Sequence, residues 1–382
     1  PVTSLLSSLL VFALAFLLRP VGAILFGRLA DRRGRKPVLI LILVLMAAAT
    51  VAIGVLPTFE TVGVLAPIAL TLLRMVQGLC GGGEVGGAVS LTTESAPAGR
   101  RGFYGAWTFA TTSFGFVLGS GVATFLALVL NEEQLASFGW RLAFLMALPL
   151  TLVVIFIRLG VEETPEFARD VEAKKMNVAA ERPSTRPFVY LLITVGLVVC
   201  YNAIGNTFMV GMPSFLSGIL EMDRLSSYLL TAVTGLIAAV SMPFFGALSD
   251  RIGRMKVMGV ATAGVLVLSI PLYAVLGISF WLSLLALAVA GVLIGAVGGP
   301  LPALLAERFP TRQRAYGVSL AFALSVAIFG GTAPYVMTWI ATVTRSPIAA
   351  GYYTVLTALI TLVAILLVRR RVDGAITPDT ED

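Results

Sequence analysis

Apolar residues run along this chain in long blocks rather than in alternation, and the blocks repeat at the length of a bilayer. A spanning helix needs about 20 mostly apolar residues. Eleven stretches meet that length, at roughly 4–26, 37–56, 62–91, 102–130, 140–159, 188–220, 226–248, 256–276, 280–305, 315–343 and 349–368. Several exceed the minimum, which predicts tilt or a helix that runs past the bilayer at one end. The polar stretch from Arg158 to Pro187 breaks the series once. The pattern predicts an all-α polytopic membrane protein: an N-terminal bundle at 1–160, a linker at 161–187, a second bundle at 188–368 and a tail at 369–382.

Composition agrees and removes whole classes of chemistry. Only 12% of the 382 residues are charged, against about 25% in a soluble domain. With no histidine in the chain, imidazole metal sites, Ser-His-Asp triads and histidine pH switches are excluded. Cys80 and Cys200 both lie inside apolar runs, which excludes a disulfide framework. No GxxxxGK[ST] loop is present, so ATP hydrolysis by the chain is not expected. Neither a nucleophile–base set nor a metal cluster stands out, so no enzyme activity, metal or cofactor is expected.

The net charge of +7 raises the question of nucleic acid, and its distribution answers it. Arg19 and Arg74 lie inside spans, and Arg141, Arg224 and Arg345 fall in one set of alternate loops. The other 22 of the 27 Lys and Arg fall in the opposite loops, the linker and the tail. Basic residues stay on the cytoplasmic side of a membrane protein. The charge is therefore a topology signal, with the C-terminus cytoplasmic and the chain in the plasma (inner) membrane, and no nucleic-acid partner is expected.

The chain also repeats. Gly27-Arg-Leu-Ala-Asp31-Arg32-Arg-Gly34-Arg35-Lys36 returns as Gly246-Ala-Leu-Ser-Asp250-Arg251-Ile-Gly253-Arg254-Met255, at an offset of 219. Glu94, Pro97 and Arg101 return as Glu307, Pro310 and Arg314, at an offset of 213. Two anchors in the same order argue for duplicated halves, a common plan among transporters. The glycines allow a tight turn between antiparallel helices, and Asp31 and Asp250 can cap a helix or pair with an arginine. Two spans precede this loop in the second half and one in the first. By symmetry one further span of about 20 residues belongs ahead of the first. The chain is thus expected to carry eleven helices of a six-plus-six plan.

Gly27-x-Leu-x-Asp31-Arg32-x-Gly34-Arg35-Lys36 resembles the loop signature of the major facilitator superfamily. Arg74-Met-Val-Gln77-Gly78-Leu-Cys-Gly-Gly82-Gly83-Glu84, Glu94-Ser-Ala-Pro97 with Arg101-Gly102, and Phe329-Gly-Gly-Thr-Ala-Pro334 are similar to its metabolite:proton symporter branch. So are Arg19-Pro20-Val-Gly22 and Glu162-Glu-Thr-Pro165-Glu-Phe167. Phe116-Val-Leu-Gly119, Gly139-Trp140-Arg141 and Met212-Pro213-Ser214-Phe215-Leu216-Ser217 resemble the proline/betaine members most closely. The resemblance implies two six-helix bundles that rock about a central site, and import of a carboxylate or zwitterion with protons. It also implies that an acid on the further span expected ahead of the first carries the proton. Partners are then a small solute, protons and lipid, and a monomer is expected. A proton-independent or antiporting carrier, such as a drug exporter, is the alternative.

Ionisable residues inside a bilayer are costly and usually face a cavity and a partner. At 100° per residue, Arg74, Gln77, Gly81 and Glu84 share an arc of about 80°. Arg74 is read either as a site for a solute carboxylate or a proton-carrying acid, or as half of a structural ion pair. Glu84 either titrates during transport or anchors the inner gate. Arg19 either reaches the cavity or snorkels toward the cytoplasm near Gly27. Asn202 and Asn206 share a helix face with Tyr201 nearby, and bond either a polar solute or a neighbouring helix. Trp107 offers an aromatic face to a quaternary ammonium by cation–π attraction.

Overall fold

The computed structural model describes residues 15–160 and 187–374. Among them ten helices are long and apolar enough to cross a membrane. In chain order, α1 (Arg19–Arg33) is the described end of the first apolar stretch and, at 15 residues, is shorter than the rest. It is followed by α2 (Arg35–Gly54), α3 (Leu65–Glu94), α4 (Arg101–Val129) and α5 (Ser137–Ile157). The second half holds α6 (Phe188–Gly218), α7 (Arg224–Ile252), α8 (Arg254–Val275), α9 (Phe280–Arg308), α10 (Arg314–Thr344) and α11 (Pro347–Val368). The expected linker, with its Glu162–Phe167 motif, and the last residues of the tail lie outside the described residues. The helix of α11 itself continues to Gly374.

Local chemistry sets the ends of these helices. Asp223 accepts the Ser226 N–H at 2.8 Å to start α7, and Ser279 accepts the Leu282 N–H at 3.2 Å to start α9. The turns α1–α2 and α7–α8 pivot on Gly34 and Gly253, both at φ 101°. A side chain there would be strained, which explains why both copies of the repeated loop carry glycine.

The same symmetry governs the packing. A Cβ added at Gly82 of α3 would collide with the carbonyl oxygen of Arg19 in α1, and one added at Gly295 of α9 would collide with the Ser241 side chain and lie 3.1 Å from the carbonyl oxygen of Ala238 in α7. Gly82 and Gly295 are 213 residues apart, and Arg19 and Ala238 are 219 apart. The two offsets of the sequence repeat thus reappear as a glycine facing the same position of the neighbouring helix in each half. Within the halves α3 packs on α1 and α2, and α6 on α10 and α11. Between them α4 lies along α7, and α1 along α10.

The largest buried cluster belongs mainly to the second half and draws in Phe16, Val89, Ala106 and Phe109 from the first. Outside, large apolar side chains such as Phe156 and Trp281 stand 79% and 74% exposed. That surface suits lipid, whose tails are as apolar as leucine.

Candidate functional site

The repeated loops meet at one end of the molecule, the end that carries most of the arginines. There each half caps a helix of the other. The Asp31 carboxylate accepts the backbone N–H groups of Ala315 and Tyr316, at 3.3 and 3.0 Å, in the first turn of α10. The Asp250 carboxylate accepts those of Gly102 and Phe103, at 2.8 and 2.9 Å, in the first turn of α4. A carboxylate at a helix N-terminus satisfies orphan donors and faces the positive end of the helix dipole.

Charged side chains tighten both caps. Glu94, at the end of α3, accepts Arg35 at 2.8 Å and Arg314 at 2.9 Å, and Arg35 also reaches the Thr311 carbonyl at 3.1 Å. Arg314 and Thr311 belong to the second half, so this buried group spans the interface. Arg254 instead stays within its own half, binding Asp250 at 2.7 Å and Glu307 at 2.9 Å. Arg32 and Arg251 are exposed beside the caps, and Arg101 is half-buried at the start of α4. Burial pushes the Asp31 carboxyl up to about 6, against the pull of the Tyr316 N–H and of Arg35. Asp250 has Arg254 at ion-pair distance, whereas the equivalent Arg35 is turned toward Glu94.

Deeper in the bilayer the polar arc of α3 divides between two neighbours. Arg74 donates to Gln77 Oε1 at 3.2 Å, Gln77 donates to Thr50 of α2 at 2.8 Å, and the guanidinium lies 5.6 Å from the Phe144 ring of α5. Arg74 thus joins α3 to α2 and α5. Gly81 instead faces Arg19, whose guanidinium would lie 3.5 Å from a Cβ at that position. Arg19 sits 4.1 Å above the Phe16 ring, one turn further from the basic end, so the snorkelling direction is not the one taken. Its Nε is buried without an acceptor among the described residues. Glu84 is exposed, and no ion pair joins it to Arg19 or Arg74 among the described residues.

In the second half, Tyr201 stacks on Phe109 of α4 at 4.7 Å, with Phe322 of α10 5.4 Å from Phe109. The three rings close the space between the halves. Asn206 donates to the Asn202 carbonyl at 2.9 Å, while Asn202 Nδ2 is buried without an acceptor among the described residues. Trp107 is exposed and meets Phe103 edge-on at 6.3 Å. The structure does not bring it to the Asn202–Asn206 face.

Sequence reasoning passed over Phe16, Phe109, Phe322 and Thr50. Phe109 and Phe322 are 213 residues apart, so the repeat register held the signal. Phe16 and Thr50 carry no such mark.

Helices capped across an interface, in a shell that faces lipid, define an integral multi-pass membrane transporter built from two related halves. The family model of the Major Facilitator Superfamily matches residues 2–334 and 195–381, and the chain belongs to that superfamily. It is 34% identical over 345 residues to a putative proline/betaine transporter of Staphylococcus aureus (strain MSSA476), covering 89% of this chain and 74% of that one. It is 32% identical over 380 residues to the glycine betaine/proline/ectoine/pipecolic acid transporter OusA of Dickeya dadantii (strain 3937), covering 97% and 76%. Among solved structures, the proton:xylose symporter XylE aligns with a TM-score of 0.76 at 19% identity, covering 95% of this chain and 86% of the other. That likeness concerns the fold.

Proposed function

We propose that this chain imports a small zwitterionic solute of the proline or betaine kind together with protons, by alternating access. The basic end is cytoplasmic in this reading, the membrane is the plasma (inner) membrane, and the working unit is a monomer. The observation that carries the mechanism is the pair of exchanged caps, Asp31 on α10 and Asp250 on α4. Each is a contact that exists only while the halves are closed at that end. Helix ends with buried donors need partners, so opening exchanges these carboxylates for water and the halves have two defined arrangements. Solute and proton are then carried by favouring one arrangement over the other.

The solute class rests on the solutes for which the relatives are named, at 31–35% identity over most of the chain. Arg19, Glu84, Tyr201, Asn202, Asn206 and Trp107 are the residues proposed for the solute and proton path, and Arg74 and Gln77 are proposed to hold α3 to α2 and α5 beside it. Asp31, Arg32, Arg35, Glu94, Arg101, Asp250, Arg251, Arg254, Glu307 and Arg314 are proposed for the gate.

The test is uptake by the full-length protein in proteoliposomes under an inward proton gradient, with radiolabelled betaine, proline, oxoglutarate and citrate. Gradient-dependent betaine or proline uptake that a protonophore abolishes supports the proposal. Uptake that survives the protonophore contradicts the coupling, and uptake of the carboxylates alone contradicts the solute class.

A further inference from the structure

Two arginines lie inside the membrane-spanning part of the first half, and the structure treats them differently. Arg74 has an acceptor in Gln77 and a ring in Phe144. Arg19 has a ring beneath it, Phe16, and no hydrogen-bond acceptor for its buried Nε among the described residues. A desolvated guanidinium presents donors in a planar fork that matches a carboxylate. Glu84, one turn along α3 from the Gly81 that faces Arg19, acts on it electrostatically, with no hydrogen bond or ion pair between them among the described residues. The fork thus stays open to a second carboxylate, at a depth where an uncompensated charge is costly.

The repeat shows that packing does not need the cation. Arg19 corresponds to Ala238, and the glycine beneath its backbone, Gly82, to Gly295. In both halves a glycine at the same repeat position faces the neighbouring helix, where a Cβ would lie 1.9 Å from the Arg19 carbonyl in the first half and 3.1 Å from the Ala238 carbonyl in the second. The first half differs in having Arg19 for alanine and, at the facing position of α3, Gly81 where the second half has Ile294. One bulky side chain has been removed where another has been added, so α3 opens a slot for the guanidinium without changing the helix contact.

The position also bears on motion between the halves. Arg19 is 12 residues before Asp31 on the same helix, about 18 Å from the cap at a helical rise. The Phe16 ring that supports it rests on Gly331 of α10, where a Cβ would approach within 2.6 Å of the Phe16 Cβ. An anion on Arg19 therefore lies one ring away from the opposite half.

We propose that Arg19, seated across Gly81 and supported by Phe16, is the residue that binds the carboxylate of the transported solute, while Arg74 braces α3 against α2 and α5. The assignment rests on the zwitterion reading above. It gives Arg19 the recognition of the anionic end, and leaves the ammonium end to other groups of the site.

The test measures equilibrium binding of radiolabelled betaine to the purified full-length protein, with choline as competitor. Choline has the same trimethylammonium group and no carboxylate. Arg19→Gln is expected to weaken betaine binding about 10- to 100-fold, the range of a lost charge-assisted contact, and to leave the weak choline competition unchanged. Arg74→Gln is expected to lower thermal stability and shift betaine affinity less than threefold. Arg19→Lys keeps the charge without the fork and should fall between wild type and Arg19→Gln; it also serves if the glutamine variant does not purify as a folded protein. Betaine affinity within twofold of wild type in both Arg19 variants overturns the assignment, as does a loss confined to Arg74→Gln. A wild-type protein that binds neither betaine nor proline overturns the solute reading itself, and the assignment with it.

Discussion

Glu94 accepts hydrogen bonds from Arg35 in its own half and from Arg314 in the other, and the Glu94 and Arg35 side chains are 0% exposed. Removing one member of a buried ion pair costs about 3–5 kcal/mol. Glu94→Ala is therefore expected to lower the thermal unfolding midpoint sharply. Glu307→Ala, whose own side chain is 37% exposed, should lower it much less. Equal effects of the two would contradict the buried, interface-spanning role of Glu94. Asp31 adds a dependence on pH. Its carboxyl is raised from 3.8 to about 6, chiefly by burial. A raised carboxyl favours the buried, protonated arrangement below 3.8, and that contribution is lost as pH rises through about 6. Acid on the basic side is thus expected to hold the α1–α10 contact closed, and neutral pH to loosen it. Cross-linking of cysteines placed across that contact, followed between pH 4 and 8, should fall with rising pH in the parent and lie flat in Asp31→Asn.

At the level of helices, α4 and α7 approach so closely at the basic end that a Cβ on Gly102 would collide with the Gly246 carbonyl. Gly246→Leu is expected to wedge this crossing apart and weaken the Asp250 cap beside it. The readout is maleimide labelling of a cysteine placed at Phe103, which should react faster in the leucine variant than in its parent; equal rates would contradict the close crossing. Two helices of the second half also contain π turns, Asn206–Gly211 in α6 and Val326–Gly330 in α10. They adjoin each other, since a Cβ at Gly330 would lie 3.0 Å from Asn206 Nδ2. Wide turns of this kind loosen the regular ladder and often mark functional positions. Nothing in the apolar periodicity announced them, because a single extra residue in a turn leaves the hydrophobic blocks intact.

Across the whole molecule, the blocks of apolar residues and the two repeat offsets made the helices, and Asp31 and Asp250 as cap candidates, legible in the sequence, but not that each caps a helix of the other half. Asp31, Asp250, Glu94 and Glu307 were marked by recurrence, and recurrence is what brings them together at one end. Orientation inside the bilayer was less legible. A helical wheel puts Arg74, Gln77, Gly81 and Glu84 in one arc, yet it does not say which neighbour each meets. The backbone contact at Gly82 decides that, by setting α1 beside Gly81 and leaving Arg74 to α2 and α5. Trp107 was read as an aromatic face for the solute, whereas the rings between the halves belong to Phe109, Tyr201 and Phe322.

The central claim is that two related halves close through aspartates that each cap a helix of the other. The most direct measurement is the distance between spin labels at Arg100→Cys and Ile252→Cys, on either side of the Asp250 cap, in the full-length protein reconstituted in lipid. The account predicts a single short distance in the parent and, with Asp31→Ala and Asp250→Ala combined, which remove both cap acceptors, a second, longer population that betaine increases. A distribution that neither the substitutions nor betaine alter would contradict it.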